Sequence, residues 1–224
     1  MSYLLTVLHH LAKDLRLEWR SRDAITGMLF FSLLVVVLFS FAFDPTAAVS
    51  RQIAGGILWV AVLFACVTAL NQTWTRELRN HVLDAQRMAP SPASALLIGK
   101  VLANFIFVTA IQLILAPLFI VFYNLHALGP KWMLLLILPL GTWALVMNGT
   151  FFAALGLRTR NRELLLPLVL FPISIPALLA MVQATTGVLT GDADPVLWIK
   201  LLAGYCIIFT TVCVLLFETV LAAE

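Results

Sequence analysis

Apolar residues form six long runs along the chain, and shorter polar segments separate them. Each run is about as long as the roughly 20 residues that a helix needs to cross some 30 Å of hydrocarbon. Because a backbone inside lipid must satisfy its own hydrogen bonds, such runs are expected to be helices. The predicted spans cover residues 25–43, 53–70, 96–123, 132–157, 164–184 and 198–221. The pattern predicts an all-α, polytopic membrane protein with a single domain over residues 1–224.

The chain before the first span has a different pattern. Over residues 3–20, leucines recur at helical spacing and charged residues fill positions between them. This predicts an amphipathic helix in the membrane interface, with its tryptophan at headgroup depth. The candidate interfacial residues are Leu4, Leu8, Leu11, Leu15, Arg16 and Trp19. The positive region of a signal peptide is the alternative, but this segment is longer and more regular than such a region.

Composition and charge placement refine this picture. Hydrophobic residues make up 62% of the 224 residues and charged residues 11%, against about half and about a quarter in soluble domains. If the N-terminus lies in the cytosol, the segments between the six spans lie alternately on the outer and the cytosolic side. Eleven of the 14 Lys and Arg residues are then on the cytosolic side. Because cytosolic loops are rich in these residues, both termini are predicted to be cytosolic. A net charge of +3 without a basic run gives no sign of nucleic-acid binding.

The polar segment between the second and third spans is the largest predicted cytosolic feature after the N-terminal helix. Leu78, Val82 and Ala85 fall on one face of a helix predicted over residues 75–90. Pro90 and a second proline two residues later end this helix. Two interpretations stay open: a helix that docks on a soluble partner, and a solvated interfacial helix without one.

The fifth span contains three prolines, Pro167, Pro172 and Pro176. Each removes a backbone donor and clashes with the preceding turn, so this helix is expected to be kinked or broken and to pack against protein. The functional interpretation is a mobile or re-entrant element, and the alternative is a static kink. In the fourth span, Asn148 is expected to bond another span.

Few residues suggest catalysis or nucleotide binding. The motifs G-x-x-x-x-G-K-[ST], H-E-x-x-H and G-x-S-x-G do not occur, and the three cysteines show no metal-ligand spacing. Lys100 lies near the start of a span, where a long side chain is expected to reach the interface. The chain is therefore predicted to be non-catalytic and without a metal site, and any ATP it uses must be bound by another chain.

Two stretches carry a resemblance to a known family. The first runs from Gly55 to Leu70 and continues through Glu77, residues 83–92 and Gly99–Lys100, and the second covers residues 140–176. In their order and in the length of the chain, these stretches resemble the B subunits of the cytochrome c maturation system, also called the haem exporter protein B family. The likeness rests on the combined pattern over nearly the whole chain.

The resemblance implies the membrane subunit of an ATP-binding-cassette (ABC) complex, with a fold like that of type-2 ABC exporters, in a bacterial inner membrane. The implied partners are a separate ATPase subunit, a haem-handling C subunit, a small D subunit, the haem chaperone E protein and a second copy of this chain. ATP hydrolysis would drive release of the haem-loaded chaperone on the outer face. Haem and ATP would be handled by the partner subunits, without a cofactor bound directly here.

The resemblance also makes the 75–90 segment a candidate coupling helix. The residues expected to dock on the ATPase are Glu77, Leu78, Val82, Asp84, Arg87 and Met88. His126, in a predicted outer loop, is expected to be solvated, with a haem-ligand role as the alternative. Two other functions stay open: a type-2 exporter permease for a lipid, glycan or drug, and a passive membrane scaffold.

Overall fold

A computed structural model describes residues 3–43, 47–79, 92–156 and 162–222. These ranges form the helices α1 (Tyr3–Ser21), α2 (Asp23–Ala42), α3 (Ala47–Arg79), α4 (Ala93–Tyr123), α5 (Leu134–Leu155), α6 (Arg162–Thr190) and α7 (Val196–Ala222). A 3-10 turn, Lys131–Met133, leads into α5. No strand occurs in the four ranges. The six helices after α1 are long and apolar enough to cross a membrane, which confirms the predicted fold.

Two helices, α3 and α6, extend farthest beyond the ends of their predicted spans. α3 continues to Arg79, so residues 75–79 are its last residues and do not begin a separate helix. The rest of the predicted 75–90 helix lies outside the described residues. α6 continues to Thr190, beyond the predicted end at residue 184. An apolar run marks the part of a helix inside hydrocarbon, whereas the backbone hydrogen bonds that continue a helix need no apolar side chain.

The three prolines of α6 lie inside one continuous helix, Arg162–Thr190. The interpretations as a mobile element and as a static kink both stay predictions. Pro176 still lacks the N–H that would bond the carbonyl of Pro172. In the same turn, the carbonyl oxygen of Ile173 accepts a hydrogen bond of 2.9 Å from the Tyr205 hydroxyl of α7. A neighbouring helix therefore contacts the carbonyl next to the one that Pro176 leaves without its helical donor, and holds this turn of α6.

α3 and α5 form the centre of the bundle. More than half of the residues in their spans are buried, against a third or fewer in the other four. The two helices meet closely at glycines, because a Cβ at Gly141 would overlap the Trp59 ring and one at Gly149 would overlap Leu70. Small residues at such positions let helices in lipid approach each other.

The bundle has two ends that differ in structure. At one end, which we call the α1 end, α1 packs against the start of α4 near the last residues of α3 and α5. α1 joins α2 through Arg22, whose left-handed conformation (φ 57°) ends one helix before the next begins. The opposite end, which we call the far end, contains the 124–130 loop between α4 and α5.

Candidate functional site

The six predicted interfacial residues all lie on α1, where they divide into two groups. Leu11 and Leu15 are half-buried. The exposed group consists of Leu4, Leu8, Arg16 and Trp19, whose apolar members expose between 48% and 72% of their surface. Large apolar side chains with this exposure are suited to contact with lipid, so the structure is compatible with an interfacial position for α1.

A further face of α1, which the leucine pattern does not reveal, packs on α4. Val7 is buried on this face. A Cβ at Gly99 would lie 2.6 Å from the Cβ of His10 and 3.2 Å from the backbone oxygen of Val7, so a larger residue at position 99 would push α1 away. Asp14 lies one turn after His10 and continues the face along the helix. Because this face combines a valine, a histidine and an aspartate, hydrophobic periodicity gives no signal for it.

Lys100 is buried at the α1 end, with 1% of its surface exposed. Its Nζ lies 3.2 Å from Oδ2 of Asp14 and 4.7 Å from the ring centroid of Trp74. The expectation that this side chain reaches the interface is therefore wrong, because α1 covers the start of α4. The carboxylate and the aromatic face replace part of the hydration that burial removes from the ammonium group.

Hydrogen bonds extend this contact to the centre of the bundle. Trp74 Nε1 donates to the carbonyl oxygen of Thr150 at 3.1 Å, and Asn104 Nδ2 donates to the Thr150 hydroxyl at 3.3 Å. We call Asp14, Trp74, Lys100, Asn104 and Thr150 the Lys100 cluster. It connects α1, α3, α4 and α5, and the Trp74 ring also packs against Phe217 of α7, with centroids 6.2 Å apart.

The predicted docking residues follow the Lys100 cluster in the sequence. Glu77 and Leu78 belong to the last turns of α3. Val82, Asp84, Arg87 and Met88 lie outside the described residues. Their role in docking stays a prediction. The segment begins close to the Lys100 cluster, because residue 77 lies only about 4.5 Å along the helix axis from Trp74, at 1.5 Å per residue.

A second polar network lies deeper in the bundle and confirms that Asn148 bonds another span. Asn148 Nδ2 donates to the Tyr205 hydroxyl at 2.6 Å, and that hydroxyl donates to the Ile173 carbonyl. The Cys213 thiol lies 3.9 Å from Asn148 Oδ1. This network joins α5, α6 and α7 and satisfies polar groups that lipid could not solvate.

A cavity of about 290 Å³ lies at the far end between α3, α4, α5 and α6. Its volume is near the lower limit of small-molecule pockets, about 300 Å³. Most of its wall is apolar and includes Leu58, Phe119 and Leu138. Its polar residues are Gln112, His126, Lys131 and Thr185.

Gln112 forms the deep polar end of this cavity. It lies about 16 Å along α4 from the end of that helix, at 1.5 Å per residue. The Thr142 hydroxyl donates to Gln112 Oε1 at 3.0 Å, whereas Nε2 has no hydrogen-bond partner among the described residues. A buried amide donor without a partner costs about 1–3 kcal/mol, so the cavity presents a donor to any molecule that enters it.

The 124–130 loop forms one wall of the cavity, and α6 holds it in place. The Gly129 N–H donates to the Val188 carbonyl at 2.9 Å, and a Cβ at Gly129 would lie 2.8 Å from that oxygen. Within the loop, His126 Nδ1 lies 3.2 Å from the backbone oxygen of Asn124. Because a carbonyl only accepts, this contact is a hydrogen bond when Nδ1 carries the proton, and in the neutral form of that tautomer Nε2 has the free lone pair.

Comparison with known proteins gives the family. The family model described as CcmB protein matches residues 5–223. The chain belongs to the CcmB family. This match covers nearly all of the described helices and confirms the resemblance to the B subunits of the cytochrome c maturation system.

Curated relatives of this CcmB family chain carry the name heme exporter protein B. The relative from Rhodobacter capsulatus is 38% identical over 170 residues, which cover 75% of this chain and 77% of the relative. The relative from Paracoccus denitrificans is 34% identical over 195 residues, or 87% and 88% of the two chains. The relative from Pseudomonas aeruginosa is 29% identical over 202 residues, or 89% and 90%.

In this CcmB family chain, sequence reasoning missed the partners of Lys100 and the wall of the far-end cavity. The sequence contains one signal for the partner of Lys100, because Asp14 is the first acidic residue of the chain and stands among basic neighbours. A lysine at the start of an apolar run needs a partner if another segment covers it. For the cavity, the sequence contains no comparable signal, because its polar residues come from four separate segments.

Proposed function

We propose that this CcmB family chain is the membrane permease subunit of an ABC complex for cytochrome c maturation. A separate ATPase subunit hydrolyses ATP, and this chain couples hydrolysis to release of the haem-loaded chaperone on the outer face. The observation that carries the proposal is the family match over residues 5–223. The name of the relatives, heme exporter protein B, supplies the connection with haem.

The proposed location is the bacterial inner membrane, with both termini and the α1 end in the cytosol. The distribution of basic residues supports this orientation. α1 and the start of α4 contain Lys13, Arg16, Arg20 and Lys100. The proposed partners are the ATPase, the C and D subunits, the haem chaperone E protein and a second copy of this chain, with ATP bound by the ATPase and haem carried mainly by the C and E proteins.

The Lys100 cluster supports a mechanical role for this chain. α3 leads from Trp74 directly into the segment predicted to dock on the ATPase. Because Trp74 contacts Lys100, Thr150 and Phe217, a displacement of the end of α3 acts on α4, α5 and α7 together. This arrangement suits a subunit that transmits force from a soluble motor into the membrane.

Docking is tested with two charge-matched double variants of the full complex. Leu78→Asp with Val82→Asp places two negative charges on the predicted docking face. Arg76→Gln with Asn80→Asp changes the net charge by the same amount on the opposite face of the predicted helix. We expect the first variant to reduce co-purification of the ATPase at least tenfold, because buried charge opposes apolar docking, and the second to retain it.

Equal ATPase recovery with both variants would contradict the docking assignment. Two further measurements test the function itself. A deletion strain should lack holo-cytochrome c, and normal holo-cytochrome c in that strain would contradict a role in haem delivery. The ATPase should hydrolyse ATP at a different rate with and without this chain, whereas equal rates would favour a passive scaffold.

A further inference from the structure

The far-end cavity combines three chemical features that a single kind of ligand would use. Its wall is mainly apolar, and its lining includes two exposed polar side chains, the cation Lys131 and the imidazole of His126. Apolar walls with a few placed polar groups are typical of small-molecule sites. We propose that this cavity holds one edge of an iron porphyrin, with His126 Nε2 as an axial ligand of the iron. This inference rests on the proposed function, since it assigns a contact for haem to this chain.

His126 has the geometry of a metal-ligating histidine. Its Nδ1 lies 3.2 Å from the Asn124 carbonyl oxygen, a contact that suits the neutral tautomer with the proton on Nδ1 and the Nε2 lone pair available for a metal. Histidines that bind metals usually donate their other ring N–H to a carbonyl or carboxylate in this way, which fixes the tautomer and the ring orientation. Binding would form one Nε2–iron bond and displace a water molecule from the iron, without oxidation or reduction.

The loop geometry holds His126 at a defined place. Asn124 ends α4 in the left-handed conformation, with φ 46°. Five residues later, Gly129 bonds Val188 of α6, and Leu128 N–H donates to the Leu189 carbonyl at 3.3 Å. The histidine thus lies between two backbone anchors, so its position does not depend on a free loop.

Size and charge decide how the porphyrin would enter. A volume of about 290 Å³ is at the lower limit for a whole small-molecule ligand, so the cavity accepts an apolar edge of the macrocycle and leaves the rest outside. The carboxylates of haem lie on the opposite edge and would remain near water and Lys131. This orientation avoids placing carboxylates beside Phe119 and Leu138, where burial without partners would oppose binding.

The test is a titration of the full-length chain in nanodiscs with ferric protoporphyrin IX, followed by its Soret absorption. Wild type should bind with a histidine-ligated spectrum, and His126→Ala should bind at least tenfold more weakly without that spectrum. Added imidazole should restore the spectrum in His126→Ala, because it replaces the missing ligand. His9→Ala is the matched control, since His9 is an exposed histidine at the other end of the bundle, and should behave like wild type.

A second porphyrin separates the role of Lys131 from that of His126. Lys131→Gln should weaken binding of ferric protoporphyrin IX but leave binding of ferric octaethylporphyrin unchanged, because the latter has no carboxylates. Ala116→Trp fills the cavity and should weaken binding of both. Wild-type affinity and spectrum in His126→Ala, or equal binding in Ala116→Trp, would overturn the inference.

Complementation distinguishes failure of this inference from failure of the proposed function. If the deletion strain makes normal holo-cytochrome c, the proposed function fails, whatever the titration shows. If the strain is defective and His126→Ala restores holo-cytochrome c fully while binding haem like wild type, only the haem contact fails. A defective strain that His126→Ala restores poorly, at normal levels of the complex, supports both.

Discussion

Asp14→Asn tests how the interfacial helix is held on the bundle. The carboxylate lies 3.2 Å from Lys100 Nζ, and the two side chains retain 15% and 1% of their exposure. Removing one partner of a buried pair costs about 3–5 kcal/mol, because the other charge stays buried. Partial exposure of Asp14 places the expected cost near the lower end, about 3 kcal/mol. At about 1.4 kcal/mol per factor of ten, this opens α1 about a hundredfold more often.

Opening of α1 is measured by the maleimide labelling rate of Val7→Cys in nanodiscs. Val7 lies on the face of α1 that packs on α4, and it is 7% exposed. A cysteine at this position therefore reacts only when α1 lifts from the bundle. The three natural cysteines are buried and supply a slow background. Asp14→Asn should raise the labelling rate about a hundredfold. Lys100→Met should have a smaller effect, because Asp14 keeps Lys13 at 3.4 Å and part of its hydration.

The double variant Asp14→Asn with Lys100→Met gives the decisive comparison. It removes both charges together, and replacing a buried pair by neutral groups is often close to neutral in stability. Its labelling rate should therefore lie within about tenfold of the parent. Arg16→Gln removes an exposed charge of the same helix and should leave the rate unchanged. A parental rate in Asp14→Asn, or a double variant that labels as fast as Asp14→Asn, would refute the reasoning.

Three further predictions concern helix packing. Tyr205→Phe removes a hydroxyl that bonds both α5 and α6, so it should cost about 1–3 kcal/mol, and an unchanged melting temperature in detergent would contradict this. Gly99→Ala should lift α1 and speed labelling beneath it, whereas Gly204→Ala, where no atom lies within 4 Å of the new Cβ, should not. Pro172→Ala with Pro176→Ala should retain holo-cytochrome c formation, because α6 is already continuous; a loss at normal expression would show that this turn must move.

The six spans could be predicted from apolar runs because the thickness of hydrocarbon fixes how long such a run must be. The ends of the helices could not be predicted in this way. The residues around position 70 do not show whether the helix stops there or continues beyond the membrane. α3 continues to Arg79, and this difference changes the interpretation of the docking segment. Its first residues continue a membrane helix and can therefore pass a displacement along its axis.

The proline-rich span shows a second limit of sequence reasoning. Pro176 does remove a donor, as expected, but the consequence depends on what packs against that turn. The Tyr205 hydroxyl, contributed by a helix about 30 residues away in sequence, donates to the Ile173 carbonyl of the same turn. The local rule identifies which turn of α6 lacks a helical hydrogen bond, whereas the contact that holds this turn comes from another helix.

Both candidate sites needed information that no single segment contains. Lys100 and Asp14 are far apart in the chain, and only the packing of α1 on Gly99 brings them together. The sequence shows His126 only as a loop histidine, whereas the structure adds its contact with the Asn124 carbonyl and its place in the lining of the cavity. Sequence patterns predict which face of one helix is apolar, whereas a site depends on which other element meets that face.

Two hydrogen bonds connect the ends of the bundle through one pair of helices. Asn104 of α4 bonds Thr150 of α5, and Gln112 of α4 bonds Thr142 of α5. On each helix the two positions are eight residues apart, 112 − 104 and 150 − 142, which is about 12 Å. The first bond belongs to the Lys100 cluster and the second to the far-end cavity. If this chain couples to an ATPase as proposed, a displacement at Trp74 would reach the cavity as movement of the α4–α5 pair as a unit, because a slip between the helices must break both bonds at once.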